Sequence, residues 1–179
     1  AVSRHGGDGS TGPPGARAAG GGPGGAGMPL RPPGAAAGLP ADVRDDPLPA
    51  LWTKLGANAS LNTVTALGRA RVGTVFAHPR AVELMLAIGR EVVAVARAAG
   101  VDVAPDAADA YVADARRRLP PTGGSSTLFD LEAGRRLERE AMIGTVVREG
   151  DRLGVPVPVS RVCASLLELA DPWQAAGGR

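Results

Sequence analysis

The chain is 179 residues long, enough for one domain with a real core, and its formal net charge of +2 offers no electrostatic footprint for a nucleic acid; the pI of 9.3 needs only a few unbalanced arginines. Cys163 is the only cysteine, which excludes an internal disulfide, and no His, Cys, Asp or Glu spacing matches a metal site. No apolar run is long enough to cross a bilayer and no compact hydrophobic stretch marks a signal peptide, so a cytoplasmic protein with no membrane partner is expected.

From Ala1 to Pro40 half of the residues are Gly or Pro, and this composition predicts a disordered Gly/Pro/Ala-rich tail over 1–41. Formal G-x-G-x-x-G matches occur there, as at Gly20, Gly22 and Gly25. A dinucleotide fingerprint needs a strand before it and a helix opening after it, and Pro23 with further Gly and Pro supplies neither. The chain starts at Ala1 and its first methionine is Met28, which suggests a fragment, a processed product or an upstream stretch that is not the natural start.

Low aromatic content with abundant Ala, Leu, Val and Arg favours packed helices over sheet beyond this tail. From Leu48 the pattern is helical, with Leu51, Trp52, Leu55, Leu61 and Val64 as apolar flanks, until Gly68 and Gly73 break it. Pro79 suits a first helical turn, with His78 as a helix-entry residue before it. The segment to Ala99 then carries Val82, Met85, Leu86, Val92, Val93 and Val95 as a long, buried central helix capped by Gly100.

Pro105 opens another helix through Arg118, which Pro120 and Pro121 terminate. Its last residues, Arg116, Arg117 and Arg118, read as a solvated turn that complements the helix dipole and not as a phosphate track. Ser125 or Ser126 can cap a short helical stretch from Thr127 to Glu132, ended at Gly134. Helix resumes over Leu137 to Leu153, and Pro156 and Pro158 lead into a last helix from Ser160 to about Leu169. Trp52 reads as a packing residue, Trp173 as part of a flexible C-terminal tail over 171–179. The expectation is an all-α domain of about six helices over 42–170, with no strand and no internal repeat.

Lys54 is the only lysine, and Asn58 and Asn62 are the only asparagines. Every other need for a long cationic side chain is met with arginine, whose guanidinium is permanently charged, whereas an amine can give up a proton at an accessible pKa. Spaced at i, i+4 and i+8, the three form one stripe rising about 12 Å along a helix face. A cationic N–H donor beside a ketone oxygen both stabilises the charge that builds there on reduction and supplies the proton. Carboxamides can donate to a carboxylate and accept from a hydroxyl, fixing orientation without adding charge.

The segment L-W-T-K-L-G-A-N-A-S-L-N-T-V-T-A-L, Leu51 to Leu67, resembles the opening helix of the C-terminal domain of ketopantoate reductase. S-S-T-L-F-D-L-E-A-G-R-R-L-E, Ser125 to Glu138, resembles that family's serine-pair, Asp, Gly-Arg and Glu pattern, and E-V-V-A-V-A-R-A-A-G-V, Glu91 to Val101, is similar as well. The resemblance covers roughly Asp42 to Leu169 and implies a helical domain of the 6-phosphogluconate dehydrogenase C-terminal-like type. In the family this domain follows an N-terminal Rossmann domain, which is expected to be absent here. It further implies reduction of 2-dehydropantoate to pantoate with NADPH, in pantothenate and coenzyme A synthesis, in the cleft between the two domains.

By this resemblance Lys54 matches the lysine that protonates the developing alkoxide, and Asn58 and Asn62 match substrate-binding amides. Ser126 matches a serine that also holds substrate, and Glu138 a glutamate near the nicotinamide ribose. The implied partners are a small 2-oxo acid, a Rossmann-type domain in cis or in trans, and a second copy of the chain in a homodimer. Val72 stands where some members carry a further substrate-binding asparagine, Thr127 replaces a methionine, and Leu137 and Ile143 replace a threonine and an asparagine around the glutamate. The expected function is the substrate-binding and catalytic half of a 2-dehydropantoate 2-reductase. The alternatives are a related reductase of another 2-oxo acid, signalled by Val72 and Thr127, and a non-catalytic helical interaction module.

Overall fold

The computed structural model describes residues 46–175. The segment read as a disordered tail, with its glycine motif, lies outside the described residues. Within them the chain is helical with no strand: α1 (Leu48–Gly68), α2 (Val72–Ala77), α3 (Pro79–Ala98), α4 (Ala107–Arg118), α5 (Ser126–Glu132), a 3₁₀ turn (Arg139–Ala141), α6 (Ile143–Leu153), α7 (Pro158–Ala170) and α8 (Pro172–Ala175). Proline opens α1, α3 and α7 within their first two positions, where a missing N–H costs nothing.

The expected long helix after Pro79 is present, and Gly100 follows it at φ +80°, with Val101 N donating to Ala96 O at 3.0 Å. The most enclosed element, however, is the C-terminal half of α1. Every residue from Ala59 to Ala66 is buried, because α3, α4, α5 and α7 all pack around it. Two of its polar members bond within the helix: Ser60 Oγ donates to Gly56 O at 2.8 Å and Thr65 Oγ1 to Leu61 O at 2.8 Å.

Around this axis one apolar cluster joins α1, α3, α6 and α7 through Val64, Met85, Ile88, Val92, Ile143, Val146 and Leu167. A smaller cluster of Val93, Ala96, Val101, Val103, Ala107, Ala108 and Tyr111 fastens α4 to α3, with Trp52 packed against both clusters. Burying such side chains contributes roughly 1.5–3 kcal/mol each, so the two clusters account for the bundle's cohesion.

Three expectations need correction. Gly73 does not interrupt helix but sits inside α2, where it lets the chain approach Pro121: a Cβ there would lie 2.8 Å from Pro121 Cβ, and Gly73 N donates to Pro121 O at 2.8 Å. The helix expected over Leu137 to Leu153 is two pieces, because Met142 at φ −112°, ψ −98° leaves the helical region between the 3₁₀ turn and α6. In the segment read as a flexible C-terminal tail, Asp171 is buried, Pro172–Ala175 forms a turn of helix, and the Arg136 guanidinium lies 5.8 Å from the centre of the Trp173 ring.

Candidate functional site

All three stripe residues lie on α1, but they sit in different surroundings. Lys54 is exposed, Asn58 is half-buried and Asn62 is 8% exposed, so the face descends from solvent into the bundle along the helix. Lys54 and Asn58 open onto a groove of about 900 Å³ between α1 and α4, which Thr53, Leu61, Tyr111 and Asp114 also line. That is room for a small organic acid with water around it.

Arg117 and Arg118 stand at one end of this groove, and both guanidiniums pair with the single carboxylate of Asp114, Arg118 Nη2 at 2.8 Å. The third arginine of the run, Arg116, instead lies over Phe76, 5.8 Å from the ring centre. The run is thus exposed at the helix C-terminus, as its reading as a dipole-complementing turn expects.

Asn62 points to a second set of partners. Its Nδ2 donates to Ser126 Oγ at 3.4 Å, a long contact, and lies 3.3 Å from Met142 Sδ. The two adjacent serines divide the work between them. Ser125 is the N-cap of α5: its Oγ accepts from Leu128 N at 3.1 Å and lies 2.6 Å from Thr65 Oγ1 of α1. Ser126, the first residue of α5, is exposed and is the one that meets Asn62.

The structure thus brings Ser126 to Asn62 and keeps Lys54 with Asn58, with α1 itself joining the two sets. Glu138 is exposed at the entry to the 3₁₀ turn, and among the described residues no hydrogen bond or ion pair ties it to Lys54, Asn58, Asn62 or Ser126.

The substituted positions fall mostly into the interior. Val72, 3% exposed, opens α2 with its N–H on Gly123 O at 2.9 Å, and Leu137 and Ile143 are core residues. Thr127 is buried too, with no hydrogen-bond partner for its Oγ1 among the described residues. Hydrocarbon at Val72, Leu137 and Ile143 therefore serves packing in this chain.

Sequence reasoning missed Met142, Thr65 and Tyr111. Met142 is visible only once the backbone break beside it is known, and the Thr65–Ser125 contact joins two distant segments. Tyr111 did carry a signal of the kind that singled out Lys54, being the chain's only tyrosine. Its ring lies against α1 at Gly56, where a Cβ would stand 2.2 Å from Tyr111 Cε2. Burial pushes the Tyr111 phenol above its ordinary 10.0, tempered by the Thr53 hydroxyl. No group of three or more His, Cys, Asp or Glu side chains among the described residues is placed to hold a metal ion, and none of the described helices is long and apolar enough to cross a membrane.

A family model described as "Ketopantoate reductase PanE/ApbA C terminal" matches residues 46–171. The chain is 33% identical over 124 residues to the 2-dehydropantoate 2-reductase of Pyrobaculum aerophilum, covering 69% of this chain and 44% of that protein. Among solved structures, the PanE/ApbA family ketopantoate reductase of Ralstonia eutropha JMP134 matches with a TM-score of 0.70 at 37% identity, over 79% of this chain and 47% of that one. The dimeric ketopantoate reductase of Staphylococcus aureus matches with a TM-score of 0.68 at 25% identity, over 72% and 44%. The chain spans less than half the length of each of these relatives. With nearly all of its described residues inside the match, the chain belongs to the ketopantoate reductase PanE/ApbA family through that family's C-terminal part.

Proposed function

We propose that this chain is the substrate-binding and catalytic half of an NADPH-dependent 2-dehydropantoate 2-reductase. The observation that carries this reading is the α1 face itself, where one ammonium and two carboxamides stand in line and Ser126 is docked on the deeper of the two. In this reading the Asn62 carboxamide and the Ser126 hydroxyl hold the acid's polar end, and Asn58 orients its middle. Lys54, at the solvent end, keeps a proton on Nζ beside the ketone oxygen and delivers it as charge builds there. The exposed position of Lys54 suits a group that is covered only when a second domain closes over the groove.

The nicotinamide cofactor implied by the family fits these residues at one end only. Glu138 is exposed and its carboxylate engages no hydrogen bond among the described residues, which leaves it able to accept from a ribose hydroxyl. Leu48 and Leu51, 48% and 58% exposed at the start of α1, offer apolar surface on which a nucleotide-binding domain can seat. No strand, and hence no strand–glycine turn–helix unit, occurs among the described residues to present backbone N–H groups to a pyrophosphate, so that task falls to a Rossmann domain in cis or in trans. When bound, the cofactor supplies the hydride. A cytoplasmic setting and a homodimer, the latter in line with the dimeric relative, belong to the same proposal.

A second reading, a reductase of another 2-oxo acid, is favoured by Val72, since a buried hydrocarbon there gives a substrate hydroxyl no partner. Both are tested by following NADPH oxidation with the chain alone and with a separately produced Rossmann domain of a relative. Turnover of 2-dehydropantoate that needs both components is expected. Turnover of a different 2-oxo acid in its place supports the second reading. No turnover of any 2-oxo acid, by a mixture in which the two components bind each other and NADPH, would leave the chain a non-catalytic helical module.

A further inference from the structure

Tyr111 is the chain's one tyrosine, it is 6% exposed, and its hydroxyl is buried, with the Thr53 hydroxyl beside it but no hydrogen bond of full geometry among the described residues. A phenylalanine would fill the same space among Val93, Ala96 and Ala108 without the cost of drying a hydroxyl, so the unpaired oxygen calls for a use. Its position supplies one. The ring is held against α1 at Gly56, and Tyr111 is among the side chains, with Lys54 and Asn58, that line the groove. Thr53, whose Oγ1 is held on Pro49 O at 2.7 Å, borders the phenol and lines the same groove, so a ligand would meet the hydroxyl once that exposed side chain turns aside.

We propose that Tyr111 is a ligand-binding residue of the α1–α4 groove, its hydroxyl donating to an oxygen of the small 2-oxo or 2-hydroxy acid that Lys54 and Asn58 hold. This rests on the 2-oxo acid reading given above, and it adds a third donor contributed by α4.

The single tyrosine makes the test specific. With the chain labelled at the phenol carbon, titration with pantoate is expected to give one saturable nuclear magnetic resonance shift, which Lys54→Ala abolishes. Tyr111→Phe, expected to melt at or above the parent, is expected to weaken pantoate binding about tenfold or more, as read on the backbone amide of Asn58. A saturable Tyr111 shift with another 2-hydroxy acid in place of pantoate supports the groove assignment and identifies its ligand. If pantoate shifts the Asn58 and Asn62 amides while the phenol signal stays fixed and Tyr111→Phe binds equally well, the 2-oxo acid reading stands and Tyr111 is a packing residue. If neither pantoate nor any other 2-hydroxy acid moves any of these signals, even with a Rossmann domain and NADP⁺ supplied, both proposals fail.

Discussion

Replacing Gly56 with alanine tests the seat of Tyr111 on α1. The new Cβ would stand 2.2 Å from Tyr111 Cε2, 2.8 Å from Cδ2 and 3.1 Å from Cζ, whereas carbon atoms rest about 3.5–4.0 Å apart. The ring must therefore withdraw by about 1.5 Å, and Val93, Ala96 and Ala108 pack against it in the smaller cluster. Overpacking of this kind costs about 1–3 kcal/mol, and a clash with the body of a ring belongs at the upper end. Alanine returns about 1 kcal/mol through its better helix propensity in the middle of α1. The balance is a loss of about 1–2 kcal/mol, or roughly 3–8 °C in Tm for a domain of this size. Thermal melts followed by far-ultraviolet circular dichroism read it directly. The same change made beside Tyr111→Leu should be neutral or stabilising, since the obstructing ring is gone. A Gly56→Ala protein that melts at or above the parent with Tyr111 in place would refute the argument.

Ser125→Ala should cost about 1–2 kcal/mol in urea titrations by removing the α5 cap and the partner of Thr65, whereas Ser126→Ala should cost less than about 0.5; the reverse order would make Ser126 the cap. Asn62→Ala should raise KM for the acid substrate far more than it lowers kcat, by about 1–3 kcal/mol of binding, in steady-state kinetics of the completed enzyme. Burial pushes the Tyr111 phenol above 10.0, and burial with the Glu91 charge pushes the Cys163 thiol above 9.0. The folded chain therefore keeps both protons longer than the unfolded chain does. Their contribution to stability is complete below about pH 9 and is lost as pH rises through the folded values. Urea midpoints should fall across that range and fall less in Tyr111→Phe, while a flat or rising profile would contradict the assignment.

Much of the bundle was legible because its signals are local. Pro79 and Gly100 bracket α3, the prolines after Arg118 end α4, and the spacing of Lys54, Asn58 and Asn62 needs only a helix to become a stripe. The misreadings arise where tertiary contact overrules a local signal. Gly73 looks like a breaker until Pro121 is seen pressed against it, and the break at Met142 falls within a stretch whose apolar spacing is helical on both sides. The division of labour between Ser125 and Ser126 depends on Thr65 and Asn62, which reach them from a distant helix. The burial of α1 likewise reflects how many neighbours it acquires, a quantity that its own sequence does not encode.

The central claim is that Lys54 is the proton donor, and kcat with KM for Lys54→Ala and Lys54→Arg in the chain completed by an NADPH-binding domain tests it most directly. Lys54→Ala should lower kcat by roughly two to four orders of magnitude while the helical circular-dichroism spectrum stays intact. Lys54→Arg should recover substrate affinity better than rate, because a guanidinium carries the charge without readily giving up its proton. A kcat near the parent's in Lys54→Ala, with the fold intact, would make Lys54 a solvated surface charge and contradict the account.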